Sequence, residues 1–243
     1  MGVSLTRTIF RLADNGDAHS LASRLRANRF RLFAEMLRNV PGRVHILDVG
    51  GSYGIWQRHR SELPAKVHVT LLNKEFGDQP PLPYVSYVVG DACDMRMFPD
   101  RQFDVSFSNS LIEHLSSEDQ VSVANEIRRV SKGYFVQTPN RYFPIEPHFL
   151  VPGWQFLPVS MRASLLQRRD LGWMKRVRDP ALARETVESI RLLDERELRQ
   201  LFSDGHLHRE QIGPLTKSLI AWRAISNSPD GPTAGDGGGS GIG

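Results

Sequence analysis

A glycine-rich segment that follows an apolar run is the first place where this sequence could bind a ligand. The run ends at Asp48, and glycines follow at positions 50, 51 and 54. Glycine has no Cβ, so it allows tight turns and lets a ligand approach the backbone closely. An apolar strand, an acid and a glycine loop in this order are typical of a nucleotide site. Taken alone, the pattern also fits a strand followed by an ordinary glycine turn.

Two histidines are the candidates for acid–base chemistry. His148 lies in a proline-rich loop two residues after Glu146, and His114 directly follows Glu113. A histidine with a nearby carboxylate can remove a proton near neutral pH. We therefore predict His148, His114 and Glu146 as catalytic residues if the reaction needs a general base, although each histidine could also be structural. No carboxylate cluster demands a metal, so no metal ligands are predicted.

The elements that must position these residues alternate between strands and helices. Apolar residues at three-to-four spacing predict a helix over 20–39. Strands are then predicted at 44–49, 67–72, 85–89, 103–108 and 134–138, followed by a helix at 194–202 and strands at 207–212 and 219–225. This alternation indicates a parallel sheet with helices on both sides.

One further helix is predicted over 117–131, between the fourth and fifth strands. Ser117 is its predicted N-cap, with Gln120 three residues later. Its predicted buried face consists of Val121, Ala124, Ile127 and Val130.

Composition limits the classes of function. The 243 residues are 40% hydrophobic and carry a net charge of +4, with no basic patch of the kind that binds nucleic acid. We expect no nucleic-acid partner and at most peripheral membrane association, because no apolar run is long enough to span a bilayer. The single cysteine, Cys93, predicts a cytoplasmic protein without disulfides. Oligomeric state is left open.

Polar residues close four successive predicted strands. Asp48 ends the first, Asn73 the second and Asp91 the third, and Ser108 and Asn109 end the fourth. Ligands of open parallel sheets bind beyond the carboxyl ends of the strands. We therefore expect these five residues to lie around one site.

At this point the sequence resembles the class I S-adenosylmethionine-dependent methyltransferases, in particular the small-molecule group. The segment from Asp48 to Gly54 is similar to that family's acidic glycine loop, and Gly90-Asp91-Ala92 is similar to its adenine motif. The block from Phe103 to Leu115 is the most specific part. Two residues depart from the pattern: Ser52 replaces the middle glycine, and Asn73 replaces the ribose-binding acid.

The resemblance implies an α/β fold: a Rossmann-like, doubly wound, mostly parallel seven-stranded sheet with an antiparallel closing hairpin and a lid inserted after strand five. The predicted segments are a helical part at 1–40, a cofactor-binding half at 41–140, a lid at 141–190 and closing elements at 191–226. The glycine-rich composition of 227–243 predicts a disordered tail.

The resemblance also implies S-adenosyl-L-methionine as cofactor and assigns residues to it. The loop would hold its amino-acid part, with Asp48 near the ammonium group. Asn73 would meet the ribose and Asp91 the adenine amino group, and the N–H of Ala92 or Cys93 would meet an adenine ring nitrogen. Ser108 and Asn109 would lie near the methionine end. The implied cofactor-binding residues are Asp48, Gly50, Gly51, Ser52, Gly54, Asn73, Asp91, Ala92, Ser108 and Asn109.

The predicted reaction is methyl transfer to the hydroxyl of a small molecule or of a glycan or lipid precursor. Two alternatives stay open. One is an NAD(P)-dependent oxidoreductase, although the glycines at 50, 51 and 54 do not fit its G-x-G-x-x-G spacing. The other is a non-catalytic binding module with the same fold.

Overall fold

The protein is described from a computed structural model, which covers residues 21–38, 40–79 and 81–225. The predicted tail at 227–243 and the first half of the predicted segment at 1–40 lie outside these residues.

Seven strands and six helices make up the described chain, together with short 3-10 turns. The strands are β1 Val44–Val49, β2 Val67–Asn73, β3 Val85–Val89, β4 Phe103–Asn109, β5 Ser131–Pro139, β6 His206–Ile212 and β7 Leu215–Arg223. The helices are α1 Leu21–Leu37, α2 Tyr53–Arg58, α3 Ser117–Val130, α4 Val159–Arg168, α5 Pro180–Glu188 and α6 Glu195–Leu201. The predicted strands and helices are therefore confirmed, with ends displaced by a few residues.

The strands form one sheet in the order β3-β2-β1-β4-β5-β7-β6. The first five strands are parallel, whereas β7 runs antiparallel to both β5 and β6. The strand order reverses between β1 and β4, which creates the switch point where open α/β sheets bind ligands. This arrangement confirms the predicted fold class.

One face of the sheet is covered by α1 and α2. Phe30, Phe33 and Leu37 of α1 pack with Trp56 of α2 against apolar residues of the central strands, such as Phe107. The aromatic rings meet mainly edge to face, with centroids 4.7–6.3 Å apart. Helix α1 is thus part of the main core.

The opposite face is covered by α3 and α6, and here two details of the sequence prediction were wrong. The N-cap of α3 is Ser116, whose hydroxyl accepts a hydrogen bond from the Asp119 amide, and not Ser117. Val121 is 49% exposed, while Gln120 and Val123 are buried. Ala124, Ile127 and Val130 are buried as predicted.

The segment after β5 forms a small helical unit with its own core. Trp154 and Phe149 stack at a centroid distance of 4.3 Å, and Leu166 of α4 and Val187 of α5 pack around them. Trp173 and Phe156, which were also predicted for the lid, are 47% and 59% exposed. Among the helices of the described chain, none is both long and apolar enough to cross a bilayer.

Candidate functional site

The loop after β1 folds around the carboxylate of Asp48. Gly50 has a φ of +77°, which is a left-handed conformation that favours glycine, and a Cβ there would lie 2.7 Å from Leu111. A Cβ on Gly51 would lie 1.7 Å from Oδ2 of Asp48. Both glycines are therefore required by the protein itself, because neither position has room for a side chain.

Asp48 is a buried carboxylate with one unsatisfied oxygen. Its side chain is 1% exposed, and Oδ2 accepts a hydrogen bond of 2.6 Å from Nε1 of Trp56. Oδ1 has no hydrogen-bond partner. Burial raises the pKa of Asp48 to about 7, although the bond from Trp56 opposes this shift. A cation next to Oδ1 would stabilise the ionised form.

The remaining loop residues explain why the departure at position 52 is tolerated. Ser52 is the N-cap of α2 and has an extended backbone, with φ −132° and ψ 154°, so no glycine is needed there. Its side chain makes no capping hydrogen bond. A Cβ on Gly54 would meet no protein atom within 4 Å. Gly54 therefore borders open space in this protein.

Asn73 and Asp91 lie at the ends of β2 and β3, as predicted. Nδ2 of Asn73 is 3.4 Å from the carbonyl of Gly51, which ties the end of β2 to the glycine loop. Oδ1 of Asp91 accepts a hydrogen bond of 2.9 Å from the Cys93 amide. Since that amide is already bonded, the Ala92 amide is the better placed of the two for a ligand.

The two predicted residues at the end of β4 differ in their surroundings. Ser108 is buried and donates a hydrogen bond of 3.1 Å to the carbonyl of Val49, which ties β4 to β1. Asn109 is half-buried, and its Oδ1 accepts a hydrogen bond of 2.6 Å from Arg29. Ser108 thus has a structural bond, whereas Asn109 keeps its amide nitrogen for other partners.

Arg29 is a buried residue of this edge to which the sequence gave no role. It is 6% exposed and bridges α1 to three strands. Besides Asn109, it bonds Gln137 at 2.7 Å and forms an ion pair with Glu210 at 2.8 Å. These contacts fix α1 over the carboxyl ends of β4 and β5.

The predicted catalytic residues come together beside the ends of β4 and β5. Nδ1 of His148 lies 2.6 Å from Oε1 of Glu146. Oε2 of Glu146 accepts hydrogen bonds from the amides of His148 and Phe149, so this buried carboxylate holds the loop in place. The rings of His114 and His148 are nearly perpendicular, with centroids 4.9 Å apart.

Glu113 is a fourth member of this group, to which the sequence analysis gave no role. It is fully buried, and its Oε2 accepts a hydrogen bond of 3.0 Å from Thr138 of β5. Oε1 has no partner. The sequence signal was the acidic residue directly before His114, within the block that resembles the family most closely.

The electrostatics of the group reflect burial and mutual interaction. Burial raises the pKa of Glu113, and burial together with His148 lowers the pKa of His114. Burial alone would lower the pKa of His148, but its bond to Glu146 and the charges of Glu146 and Glu113 raise the pKa above its usual value. His148 and the carboxylates thus stabilise one another's charged forms.

The residues of the loop after β1 fit the cofactor that the resemblance implies. S-adenosylmethionine carries an ammonium group, and Oδ1 of Asp48 is a buried acceptor without a partner. The space beside Gly54 is open, and Asn73 and Asp91 offer acceptors at the neighbouring strand ends. The fit thus depends on the Asp48 carboxylate, one oxygen of which has no hydrogen-bond partner in the protein.

Comparisons with known proteins agree with this architecture. Residues 47–136 match a family model described as a methyltransferase domain. A search of curated proteins gave no match. The structure is similar to a SAM-dependent methyltransferase from Aquifex aeolicus, with 15% identity, a TM-score of 0.50, and coverage of 91% of this chain and 98% of that chain. At this identity the similarity shows the fold alone.

Two other solved structures are similar at lower TM-scores. One is the 1,6-didemethyltoxoflavin-N1-methyltransferase of Burkholderia thailandensis with bound S-adenosylhomocysteine, at 12% identity, TM-score 0.48, and coverage of 82% of this chain and 76% of that chain. The other, from Anabaena variabilis, is described as a methyltransferase of an antibiotic biosynthesis pathway. It has 20% identity, a TM-score of 0.43, and 58% of this chain covered, and the chain spans 60% of its length.

The family match falls on β1 to β5, the parallel part of the sheet that contains the switch point and the glycine loop. Residues 47–136 therefore form a methyltransferase domain with the sheet topology of the class I S-adenosylmethionine-dependent methyltransferases, and its cofactor is S-adenosylmethionine.

Proposed function

We propose that this protein transfers a methyl group to a hydroxyl of a small molecule or of a glycan or lipid precursor. The observation that carries the proposal is the pair formed by His148 and Glu146 at the ends of β4 and β5. A hydroxyl of high pKa must lose its proton to become a nucleophile, and a positioned histidine can receive it. A ready nucleophile such as an amine would not need this arrangement.

We assign the cofactor to the carboxyl ends of β1, β2 and β3, which form one half of the sheet edge. Asp48 would bind the ammonium group through Oδ1, and the loop backbone from Gly50 to Gly54 would hold the amino-acid part. Asn73 would bind ribose hydroxyls, while Asp91 and the Ala92 amide would bind adenine. When bound, S-adenosylmethionine supplies a methyl carbon that its sulfonium has already activated.

Asn109 and Ser108 take different parts in this proposal. The free amide nitrogen of Asn109 would face the methionine end, held there by the bond between its Oδ1 and Arg29. Ser108 would act only through the strand pairing that its bond to Val49 supports. The site is thus positioned mainly by backbone and by buried polar bonds.

The acceptor side removes the proton. With Nδ1 of His148 bound to Glu146, Nε2 is the ring nitrogen left to interact with the acceptor. Nε2 of His148 would accept the proton of the acceptor hydroxyl while an oxygen lone pair forms the new O–C bond. The electron pair of the C–S bond would stay on sulfur. Holding both partners in this near-attack geometry can supply roughly 7–11 kcal/mol.

A cationic group beside the same edge favours an acceptor that also carries negative charge. Lys217 lies next to β5, where its carbonyl accepts a hydrogen bond from the Asn140 amide at 2.9 Å. Burial, Arg29 and Arg26 lower the pKa of Lys217 to about 8, although Glu210 opposes this. Glu210 is already paired with Arg29, so an anionic acceptor group would compensate the charge of Lys217.

The experiment that tests the proposal uses S-adenosylmethionine with an isotope-labelled methyl group. The protein is incubated with hydroxyl acceptors, each with and without a carboxylate or phosphate group, and with matched amines. We expect labelled methyl ethers and S-adenosylhomocysteine in equal amounts, with anionic acceptors preferred. Methylation of the amines alone would overturn the hydroxyl assignment, and no turnover despite tight cofactor binding would favour a non-catalytic module.

A further inference from the structure

Three potential metal ligands converge at the acceptor side. Glu113, His114 and His148 each offer a ligand atom, and these atoms all lie within 4.8 Å of one another. Glu113 and His114 belong to the 3-10 turn after β4, and His148 belongs to the loop after β5. Metal–ligand bonds to N and O are about 2.0–2.2 Å long for zinc, so small inward rotations of these side chains bring the three donor atoms to one ion.

The turn that carries Glu113 and His114 is held rigidly. The Glu113 carbonyl accepts a hydrogen bond of 2.7 Å from the Arg191 amide, and the Ile112 carbonyl accepts one of 2.9 Å from Gln120. Leu111, just before the turn, fills the space above Gly50. The three donors are therefore built into the site before any ligand arrives, and they adjoin the glycine loop.

Glu113 gives the observation that points to a missing ligand. Its side chain is fully buried, one oxygen is bonded to Thr138, and Oε1 has no partner. An unsatisfied buried carboxylate oxygen is costly, and a bound ion or a catalytic role is among the reasons for which proteins keep such a group. Glu113 is also one of the three residues whose ligand atoms converge beside the ends of β4 and β5.

His148 has the arrangement that is common for metal-binding histidines. Its Nδ1 is bonded to Oε1 of Glu146, which leaves Nε2 free to bind an ion. Metal ligands of this type usually donate their other ring N–H to a carboxylate, which fixes both tautomer and ring orientation. Glu146 is itself held by two backbone amides, so it is a positioning residue rather than a ligand.

We propose that Glu113, His114 and Nε2 of His148 bind one divalent transition-metal ion that activates the acceptor. Two imidazoles and one carboxylate suit zinc, manganese, iron or cobalt, whereas magnesium and calcium prefer sites made of oxygen ligands alone. Three protein ligands also leave a coordination position open, as catalytic sites require. The sequence analysis predicted no metal ligand here, because the group forms only in the folded chain.

This inference rests on the proposed methyl transfer to a hydroxyl and gives its proton step a specific form. The ion would lower the pKa of an acceptor hydroxyl bound at its open position, so that the hydroxyl would lose its proton to water before methyl transfer. The acceptor oxygen would then form the bond to the methyl carbon, and the C–S electron pair would stay on sulfur. His148 would in this case act as a ligand and not as the base.

The test is a titration of the chelator-treated, dialysed protein with Co²⁺ alone, followed by d–d absorption and by metal analysis after gel filtration. Cobalt is a spectroscopic substitute for zinc at nitrogen and oxygen sites. We expect one equivalent of Co²⁺ bound with micromolar or tighter affinity, displaced by Zn²⁺. No d–d absorption and no retained metal at 1 mM Co²⁺ would overturn the proposal.

Matched variants locate the ion. His114→Ala and His148→Ala should each weaken Co²⁺ binding by at least about 100-fold, since even loss of a group that supports a ligand costs 10–100-fold. His45→Ala is the control, because His45 is exposed near another histidine, with ring centroids 6.1 Å apart. It should leave binding unchanged. Equal binding by all three variants would mean that the ion binds elsewhere and would also overturn the proposal.

A parallel measurement separates this inference from the proposed function. The wild type and the histidine variants, all freed of metal, are titrated with S-adenosylhomocysteine, whose proposed binding residues lie on the other half of the sheet edge. If the protein bound S-adenosylhomocysteine normally but no Co²⁺, the metal proposal would be wrong and the proposed methyltransferase function would stand. Methyl transfer to a hydroxyl at full rate in protein stripped of metal would show that His148 acts as the base.

Discussion

The two halves of the sheet edge differ in the kinds of residue that line them. On the cofactor side, beyond β1 to β3, a single buried ionisable group, Asp48, is surrounded by glycine backbone and short polar side chains. On the acceptor side, beyond β4 and β5, Glu113, His114, Glu146 and His148 interact with one another within one cluster. In our proposal the first half holds a large ligand by its backbone, and the second concentrates groups that can exchange protons or bind an ion.

This comparison predicts that substitutions on the two sides separate binding from turnover. The largest effect is expected on the acceptor side. His148→Ala should lower kcat by about 10²–10⁴-fold, the usual contribution of acid–base catalysis, whether the ring acts as a base or as a ligand. The affinity for S-adenosylhomocysteine, measured by calorimetry, should stay within a factor of two. His208→Ala is the control, because His208 is an exposed residue of β6. Near-normal turnover of His148→Ala would refute the assignment of His148 as a catalytic residue.

The next effect is expected at the glycine loop. Gly51→Ala would place a Cβ against the carboxylate of Asp48, so the loop must shift. We expect at least about 100-fold weaker binding of S-adenosylhomocysteine and a loss of about 1–3 kcal/mol in the free energy of unfolding, as for other overpacked sites.

Gly54→Ala is the matched control for that loop. The added Cβ meets no protein atom, and alanine favours a helix over glycine, so the free energy of unfolding should rise by about 0.5–1 kcal/mol. Denaturant unfolding of both variants checks this. If both glycine variants destabilised the protein equally, the contrast between a position filled by protein and one open to a ligand would be wrong.

Asp48→Asn is expected to have two smaller effects of opposite sign, weaker ligand binding and higher stability of the ligand-free protein. Loss of a charged hydrogen-bond partner should weaken binding of S-adenosylhomocysteine by about 10–100-fold. At pH 8, however, the same change removes a buried charge, so the ligand-free variant should unfold at a higher temperature than the wild type. Thermal melts with and without S-adenosylhomocysteine test both effects in one experiment.

The pH dependence of that pair follows from the pKa of Asp48, which is raised from 3.8 to about 7 in the folded protein. The folded state therefore holds a proton that the unfolded state releases. The stabilising contribution is complete below pH 4 and is lost as pH rises to 7, by up to about 4 kcal/mol. Asp48→Asn should lack this loss. Conversely, the affinity of the wild type for S-adenosylhomocysteine should fall by up to about tenfold per pH unit below 7.

The smallest effect is expected at Asn73. Asn73→Asp would replace a neutral ribose acceptor by a charged one, and charge-assisted bonds are roughly twice as strong. We expect binding of S-adenosylhomocysteine to tighten by about three- to tenfold. The variant loses the long contact to Gly51, which limits the gain. Weaker binding would show that Asn73 supports the loop rather than the ribose.

The same contrast explains how much could be predicted from the sequence. The cofactor side is encoded locally, because Asp48, Asn73 and Asp91 each follow a recognisable apolar strand. The fold was predictable for the same reason, since strand ends were displaced by only a few residues. In α3, adjacent serines both satisfy the rule for an N-cap, and Val121 and Val123 both lie at helical spacing from buried residues. The hydrogen bond from the Asp119 amide decides between the serines, and packing against the sheet decides between the valines.

The acceptor side could be predicted only in part, because it is assembled from distant segments. His148 and Glu146 are near in sequence, but Glu113 precedes His148 by 35 positions and its free oxygen appears only after burial. Arg29 gave no signal at all among neighbouring arginines. Its partners Asn109, Gln137 and Glu210 lie 80, 108 and 181 positions away.

The central claim, that the glycine loop and Asp48 form an S-adenosylmethionine site, is tested most directly by calorimetric titration of the wild type at pH 8 with S-adenosylhomocysteine and, separately, with NADH. We predict one molecule of S-adenosylhomocysteine bound per chain, stabilisation of about 2.7 kcal/mol at 100 times the Kd, and no heat from NADH. Binding of NADH without binding of S-adenosylhomocysteine, or no response to either at millimolar concentration, would contradict the account.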